Sequence, residues 1–285
     1  MSILGTRVIR TEDPRLLTSG GVYVDDLREP ELAGAVRATF VRSTIAHALI
    51  TGIDTAAALT APGVVAVLTA ADMTDLPAPP PAEPLPDDAP PPEGPAPMGG
   101  AWQEPLLAVD RVRFVGEPVA IVLTDGTYQG EDAAELVSVD YEPLPAGPSI
   151  AAALADESLL FPGAGTNVCV RGGRPIGDDS IFAGCAVIVE GDVVNQRVAC
   201  LPMEGRSTAA AWVNGKLTVW ASTQNAQQAR DQVAEALGLD ASSVRVITPD
   251  VGGGFGAKIA TDRDTIVVAW AARRLGRPLD RKSVV

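Results

Sequence analysis

The sequence predicts an α+β protein of two domains, the first over residues 1–150 and the second over residues 151–285. The length supports this number, because 285 residues are enough for about two domains of ordinary size. Strand-like and helix-like patterns are mixed along both halves, which is typical of the α+β class. With 46% hydrophobic and 20% charged residues, the chain can bury a sizeable core.

The elements of the first half are predicted by apolar alternation, apolar runs and helical spacing. Residues 31–42 alternate as a strand, and an alanine-rich run capped by Asp54 predicts a short helix over residues 54–59. The others are a strand over 64–68, a strand over 118–123, a helix over 131–137 and a strand over 137–141.

A proline-rich stretch interrupts this first domain. Residues 77–97 hold 11 of the 24 prolines of the chain. Such a segment has few backbone donors and little apolar surface, so it favours extended polyproline-like chain. We interpret it as a surface insertion loop.

The second half begins with a glycine-rich loop over residues 163–177. Apolar runs predict strands over 185–190, 209–213, 217–221 and 244–248, with Asn214-Gly215 as a hairpin turn between the second and third. Helical spacing predicts helices over 226–237 and 261–275, which Gly238 and Gly276 end.

Composition excludes several classes of function. A net charge of −14 disfavours binding to nucleic acid, and no apolar run approaches the ~20 residues that a membrane-spanning helix needs. No signal peptide is recognised, so a cytoplasmic protein is expected. The three cysteines lie far apart and there is one histidine, so no structural zinc site or iron–sulfur cluster is predicted from these residues.

The run of glycines at residues 252–256 is the strongest chemical signal. A strand, a glycine run and a helix present backbone N–H groups to an anion. A phosphate loop would need a hydroxyl residue after Lys258, where Ile259 stands, and a dinucleotide fingerprint would need an acidic residue about 20 positions on. A plain glycine turn remains open, although turn geometry gives no reason for Phe255.

This run is part of a resemblance that extends over nearly the whole chain. The segment Asp250 to Lys258, after Ser222-Thr223-Gln224, resembles the cofactor region of the xanthine dehydrogenase, aldehyde oxidase and carbon monoxide dehydrogenase family of molybdenum hydroxylases. Further similar motifs occur in the order of that family: RTEDPRLLT at 10–18, YVDD at 23–26, FVRSTIAHA at 40–48, VGEPVA at 115–120, DYEPLP at 140–145 and PMEGR at 202–206.

The resemblance implies a hammerhead domain in the first half and an incomplete, mixed α/β molybdenum-cofactor domain in the second. It implies a molybdenum-pterin cofactor, molybdopterin or its cytosine dinucleotide form, held by a group of residues near the glycine run. Gln224 would donate a hydrogen bond to an oxygen ligand of molybdenum. The residues implied to bind the cofactor are Gln224, Gly253, Gly254, Phe255 and Gly256.

Departures from the family limit what is expected of this chain. The family's large subunit continues for several hundred residues, and its general-base glutamate would lie beyond residue 285, so no catalytic residue is assigned here. The end of the chain departs from the family's continuation, which indicates a truncated or frame-shifted gene. Ile259 disfavours purine substrates, whereas aldehydes, carbon monoxide and N-heterocycles remain open. Iron–sulfur and FAD subunits and a complementary C-terminal polypeptide are the implied partners.

Three further residues are given structural roles, and two other functions remain open. His47 is expected to be structural, at the domain boundary, and Glu204 with Arg206 is expected to be an ion pair that braces the fold. The chain could instead be a non-catalytic remnant or assembly module, or a nicotinamide-dependent oxidoreductase that uses residues 252–257.

Overall fold

The computed structural model describes residue 5 and residues 10–77, 102–147, 149–169 and 179–281. Of the proline-rich loop predicted over residues 77–97, only Pro77 lies inside these ranges. Residues 170–177 of the predicted glycine-rich loop also lie outside them. No helix within the described ranges is long and apolar enough to cross a bilayer.

The described ranges form ten strands and six α-helices, with short 3-10 turns between some of them. The strands are β1 (Val36–Arg42), β2 (Ala48–Asp54), β3 (Val64–Thr69), β4 (Arg111–Val112), β5 (Pro118–Thr124), β6 (Ser138–Pro143), β7 (Thr208–Val213), β8 (Lys216–Ala221), β9 (Val244–Ile247) and β10 (Leu279–Arg281). The helices are α1 (Asp13–Thr18), α2 (Ala56–Leu59), α3 (Gln129–Ala134), α4 (Ile150–Leu154), α5 (Ala226–Ala236) and α6 (Arg263–Leu275).

Seven strands form one sheet in the order β3-β5-β1-β10-β7-β8-β9, and a smaller sheet has the order β4-β2-β6. In the large sheet β1 runs parallel to β10 and β8 parallel to β9, whereas the other neighbours are antiparallel. Strands from both predicted domains therefore share this sheet through β10. The boundary between residues 150 and 151 stays a prediction.

The main core packs α5 and α6 against the large sheet. Helix α6 is apolar over most of its circumference, and its residues from Asp264 to Ala272 are buried, as expected for a helix covered on nearly all sides. Asp262 caps its first turn by accepting a hydrogen bond from the Thr265 amide at 2.8 Å. Gly276 ends it in the left-handed conformation.

The predicted hairpin joins β7 and β8. Asn214 and Gly215 have φ values of +51° and +76°, the positive values that a two-residue turn needs to match strand twist. The buried strand predicted over residues 118–123 is β5, which is buried along its whole length.

Several predicted boundaries shift, for local reasons. The strand predicted over 31–42 begins at Val36, because Pro30 initiates a 3-10 turn before it. Asp54 closes β2 instead of capping α2, whose N-cap residue is Thr55, although the Asp54 carboxylate accepts a bond from the Ala56 amide at 2.9 Å. The helix predicted over 131–137 runs from Gln129 to Ala134.

The strand predicted over residues 185–190 is wrong. These residues are exposed and form no strand, since no neighbouring strand in the described ranges offers them a ladder of hydrogen bonds. Sequence reasoning missed β2 and β10, whose short or weakly alternating patterns give little signal.

His47 is buried near the start of β2. Its Nδ1 atom lies 2.8 Å from the carbonyl oxygen of Pro145, just after β6. This contact supports the structural role predicted for it.

Candidate functional site

Three chain segments meet at one edge of the large sheet. Thr208 of β7 pairs with Ala221 of β8, and Trp220 of β8 pairs with Ile247 of β9. The residues before β7, after β8 and after β9 are therefore neighbours. They are the PMEGR motif, the Ser-Thr-Gln motif and the glycine run, which the sequence places 16 or more positions apart.

The glycine run needs its glycines in two different ways. Gly253 and Gly256 have φ values of +100° and +90°, which L residues rarely adopt. Gly252 and Gly254 are needed for close approach: a Cβ atom at Gly252 would lie 2.5 Å from the Cβ of Glu204, and one at Gly254 would lie 2.5 Å from the Cδ of Gln224.

Gln224 is tied to the glycine run by three hydrogen bonds. Its side-chain Oε1 accepts from the backbone amides of Gly256 at 3.0 Å and Lys258 at 3.3 Å. Its backbone amide donates to the Lys258 carbonyl at 2.8 Å. The carboxamide oxygen is thus occupied within the protein. The side-chain Nε2 group, which carries two donors, has no hydrogen-bond partner among the described residues.

The centre of the run presents a group of backbone donors. Within the described ranges, nothing accepts a hydrogen bond from the amides of Gly253, Gly254 or Phe255. Successive amides with alternating backbone handedness form anion-binding concavities. Phe255 adopts a positive φ of +52° and its side chain is 73% exposed, a strained and solvated aromatic residue beside these donors.

A buried network fixes these segments to one another. The Lys258 ammonium, only 1% exposed, donates to the Glu204 carbonyl at 2.9 Å, to Glu204 Oε2 at 2.9 Å and to Ser222 Oγ at 2.7 Å. Glu204 Oε2 also accepts from Ser222 Oγ at 2.6 Å and from the Gly252 amide at 2.8 Å. All three donors of the ammonium are satisfied by the segments that form the site.

This network corrects the predicted ion pair. Glu204 pairs with Lys258, and Arg206 instead donates to the Ala257 carbonyl at 2.8 Å. A buried lysine needs a carboxylate partner, and this rule could have pointed to the pair of Lys258 with a glutamate. The rule could not be applied, because the sequence alone does not reveal that Lys258 is buried.

The start of the glycine run is also held by the N-terminal segment. Asp250 accepts two hydrogen bonds from the Arg15 guanidinium, at 2.6 and 2.7 Å, and one from the Val22 amide at 2.8 Å. The bond from Arg15, followed by the Val22 amide, lowers the pKa of Asp250 to about 2. Sequence reasoning singled out both motifs but did not connect them.

All five predicted cofactor-binding residues lie in this arrangement, with Gln224 in direct contact with the run that contains the other four. No group of three or more His, Cys, Asp or Glu side chains suited to a metal ion occurs in the described part of the chain. The site offers neutral N–H donors and an exposed aromatic ring, both supported by the buried network of Lys258 and Glu204. Such a set suits an anionic or oxygen-rich ligand.

Comparison with known proteins gives two adjacent matches to protein families. Residues 18–145 match a family described as the aldehyde oxidase and xanthine dehydrogenase a/b hammerhead domain, and residues 160–281 match the molybdopterin cofactor-binding domain.

Individual relatives match over nearly all of this chain. The nicotine 6-hydroxylase large subunit of Paenarthrobacter nicotinovorans is 36% identical over 98% of this chain and 33% of its own length. The carbon monoxide dehydrogenase large chain of Afipia carboxidovorans is 34% identical over 97% of this chain and 34% of its own length. The crystal structure of quinoline 2-oxidoreductase from Pseudomonas putida 86 superposes with a TM-score of 0.80 at 33% identity, covering 99% of this chain and 35% of that one. The chain spans about a third of the length of these relatives.

Proposed function

We propose that this chain, which belongs to the xanthine dehydrogenase and aldehyde oxidase family of molybdopterin-binding subunits, forms one wall of a molybdenum-cofactor site in a hydroxylase. The family resemblance predicted from the sequence is confirmed by both family matches. The predicted fold class, a hammerhead domain followed by a cofactor-binding domain, is confirmed by the same matches and by the related crystal structure.

One observation carries the proposal: the free Nε2 donors of Gln224 lie beside the free amides of the glycine run. Because Gln224 Oε1 is already bonded to that run, its side chain is held with the amide group left for a ligand. The residues present therefore fit a group that carries oxygen and sulfur acceptors. Gln224 would donate to an oxygen of the bound group, and the amides of Gly253, Gly254 and Phe255 would line its other side.

The chemistry of the bound group is that of the family. A molybdenum-pterin supplies two-electron redox chemistry in which a substrate carbon is hydroxylated with oxygen from water. This chain's own residues bind and orient the group: Lys258 and Glu204 hold the base of the site rigid, and the exposed Phe255 ring shapes the approach to it.

We propose an aldehyde, carbon monoxide or an N-heterocycle as the substrate. Ile259 follows the glycine run and is about half exposed, so it offers a substrate an apolar contact and no carboxylate. Purines, which present several polar ring atoms, are disfavoured at such a position.

The proposal includes further components and a location. Catalysis requires a complementary large-subunit polypeptide that supplies the general base, together with iron–sulfur and FAD subunits that accept the electrons. The cofactor is molybdopterin or its cytosine dinucleotide form, and the assembly is cytoplasmic. The isolated chain binds the cofactor weakly and turns over no substrate, since one wall of a site provides only part of its contacts.

The test measures molybdenum content rather than activity. The chain is expressed in a molybdenum-replete host with its complementary polypeptide, as the natural sequence and as Gln224→Glu, and metal is quantified by mass spectrometry. Gln224→Glu keeps an oxygen for the Gly256 and Lys258 amides but removes both Nε2 donors, so at least a tenfold loss of bound molybdenum is expected. The control is Gln227→Glu, which places the same charge at an exposed position of α5. Equal molybdenum in both variants would contradict the proposal, as would stoichiometric metal in the chain alone.

A further inference from the structure

A buried ion pair lies beside the free donors of the candidate site. The Lys258 ammonium is 1% exposed and the Glu204 side chain is 12% exposed, and their Nζ and Oε2 atoms are 2.9 Å apart. Among the described residues, Lys258 forms an ion pair with Glu204 and with no other carboxylate. Residues of this chain already exclude solvent from the pair, so any polypeptide that packs on the site can only bury it more deeply.

Stability alone gives no reason for two charges at this position. Taking a carboxylate and an ammonium out of water offsets most of what their attraction returns. Replacing such a pair by apolar residues of similar volume is often neutral or stabilising. A role in the site itself explains why both charges are present.

The pair is close enough to act on a bound group through its electric field. Glu204 Oε2 accepts from the Gly252 amide at 2.8 Å, and the free amides begin at the next residue. One residue spans at most about 3.8 Å and a hydrogen bond about 3 Å, so a group bound to the Gly253 amide lies within about 10 Å of the carboxylate. At an effective dielectric constant of about 20, one unbalanced charge at this distance changes an equilibrium constant about tenfold.

We propose that the Lys258–Glu204 pair sets the reduction potential of the bound molybdenum group by keeping the base of the site electrically neutral. This inference rests on the proposed function and concerns the regulation of that same site. Neither side chain touches the bound group. Reduction adds an electron to that group, so an unbalanced positive charge nearby favours its reduced form and an unbalanced negative charge favours its oxidised form.

The test is a redox titration of the assembled, molybdenum-loaded enzyme that contains this chain, followed by the paramagnetic Mo(V) signal. Lys258→Met leaves the carboxylate unbalanced and should lower the Mo(VI)/Mo(V) potential, whereas Glu204→Gln leaves the ammonium unbalanced and should raise it. Each shift should be about tenfold in the reduction equilibrium, which is about 60 mV for one electron. The double variant removes both charges, so its potential should return close to the natural value.

The opposite signs separate an effect of charge from an effect of packing. A loosened site gives no reason for the potential to fall in one variant and to rise in the other. A buried charge without its partner can be lost by gaining or losing a proton. Potentials are therefore compared with those of the natural enzyme at about pH 6 and at about pH 8, so that each unbalanced group carries its charge at one of them.

An exposed ion pair of the same chain gives matched controls. Arg230 and Asp231 of α5 pair at 2.6 Å, with side chains that are 42% and 57% exposed. Arg230→Met and Asp231→Asn remove the same two charges from a pair in contact with water, where charges are screened. Each should change the reduction equilibrium by less than about twofold.

Each outcome decides the proposal. Shifts of the same sign in the two single variants, no shift in either, or a double variant no closer to the natural potential overturn it. If the single variants lose molybdenum, the double variant decides: metal retained at a near-natural potential supports charge balance, and metal lost there as well overturns it. A natural enzyme without molybdenum refutes the proposed function and this inference with it, whereas bound molybdenum that does not respond to the pair refutes this inference alone.

Discussion

Replacing Lys258 by methionine tests whether the buried network holds the candidate site together. Methionine keeps an unbranched side chain of similar size but removes the ammonium and its three hydrogen bonds. Glu204 would then be a buried carboxylate without a counter-charge. Breaking a buried pair by removing one partner typically costs about 3–5 kcal/mol. Glu204 Oε2 keeps the Ser222 hydroxyl and the Gly252 amide as donors, so we expect a loss near 3 kcal/mol.

The assay is urea unfolding of the full chain, with stability read from the midpoint at constant slope. The control is Arg206→Met, which also removes a positive charge near the glycine run. The Arg206 guanidinium donates one exposed hydrogen bond, to the Ala257 carbonyl. It should cost only about 1 kcal/mol. Adding Glu204→Gln to Lys258→Met removes the stranded charge, so the double variant should recover at least about 1 kcal/mol. A Lys258→Met variant no less stable than Arg206→Met would refute the network.

Three further predictions concern single positions. The pKa of Asp250 is lowered to about 2 from an ordinary 3.8, so the carboxylate stabilises the fold above about pH 4 and this contribution is lost as the pH falls towards 2. The difference in urea midpoint between the natural chain and Asp250→Asn should therefore shrink from pH 4 to pH 2. A difference that stays constant would contradict this. Gly254→Ala should lower the free energy of unfolding by about 1–3 kcal/mol, because the added Cβ would clash with Gln224. Gly163→Ala is the control: no atom lies within 4 Å of its added Cβ, so the loss in the same assay should be less than about 1 kcal/mol. Burial and the nearby Asp264 raise the pKa of Asp262, so its negative charge does not stabilise the fold. Asp262→Asn, which keeps an N-cap, should therefore be no less stable than the natural chain at pH 7, while Asp262→Ala should lower the free energy of unfolding by about 0.5–2 kcal/mol in the same urea assay. An equal loss in both variants would contradict this.

Local chemistry made much of the fold predictable. The hairpin at Asn214-Gly215, the apolar strand β5 and the capped helix α6 each follow from signals within a dozen residues. The candidate site was partly predictable for the same reason, since the glycine run is a compact motif. Its union with Gln224 came from the family resemblance.

Long-range pairing was not predictable. The contacts of Lys258 with Glu204, and of Asp250 with Arg15, join residues 54 and 235 positions apart, and charge pattern alone does not select such partners. Strand formation at residues 185–190 failed as a prediction because β-propensity requires a neighbour to pair with. Strand β10, three residues long, is set by its place between β1 and β7 rather than by its own sequence.

The position of β10 has a consequence for how the chain is made on the ribosome. Strand β1 pairs with β5 as soon as both have been synthesised, but its other edge waits for β10, which begins at Leu279. At ~5–20 residues per second, that edge stays open for on the order of 10–30 s after β5 is complete. A nascent chain stalled before Leu279 would expose an unpaired strand, and we expect it to depend on chaperones more than the finished protein does.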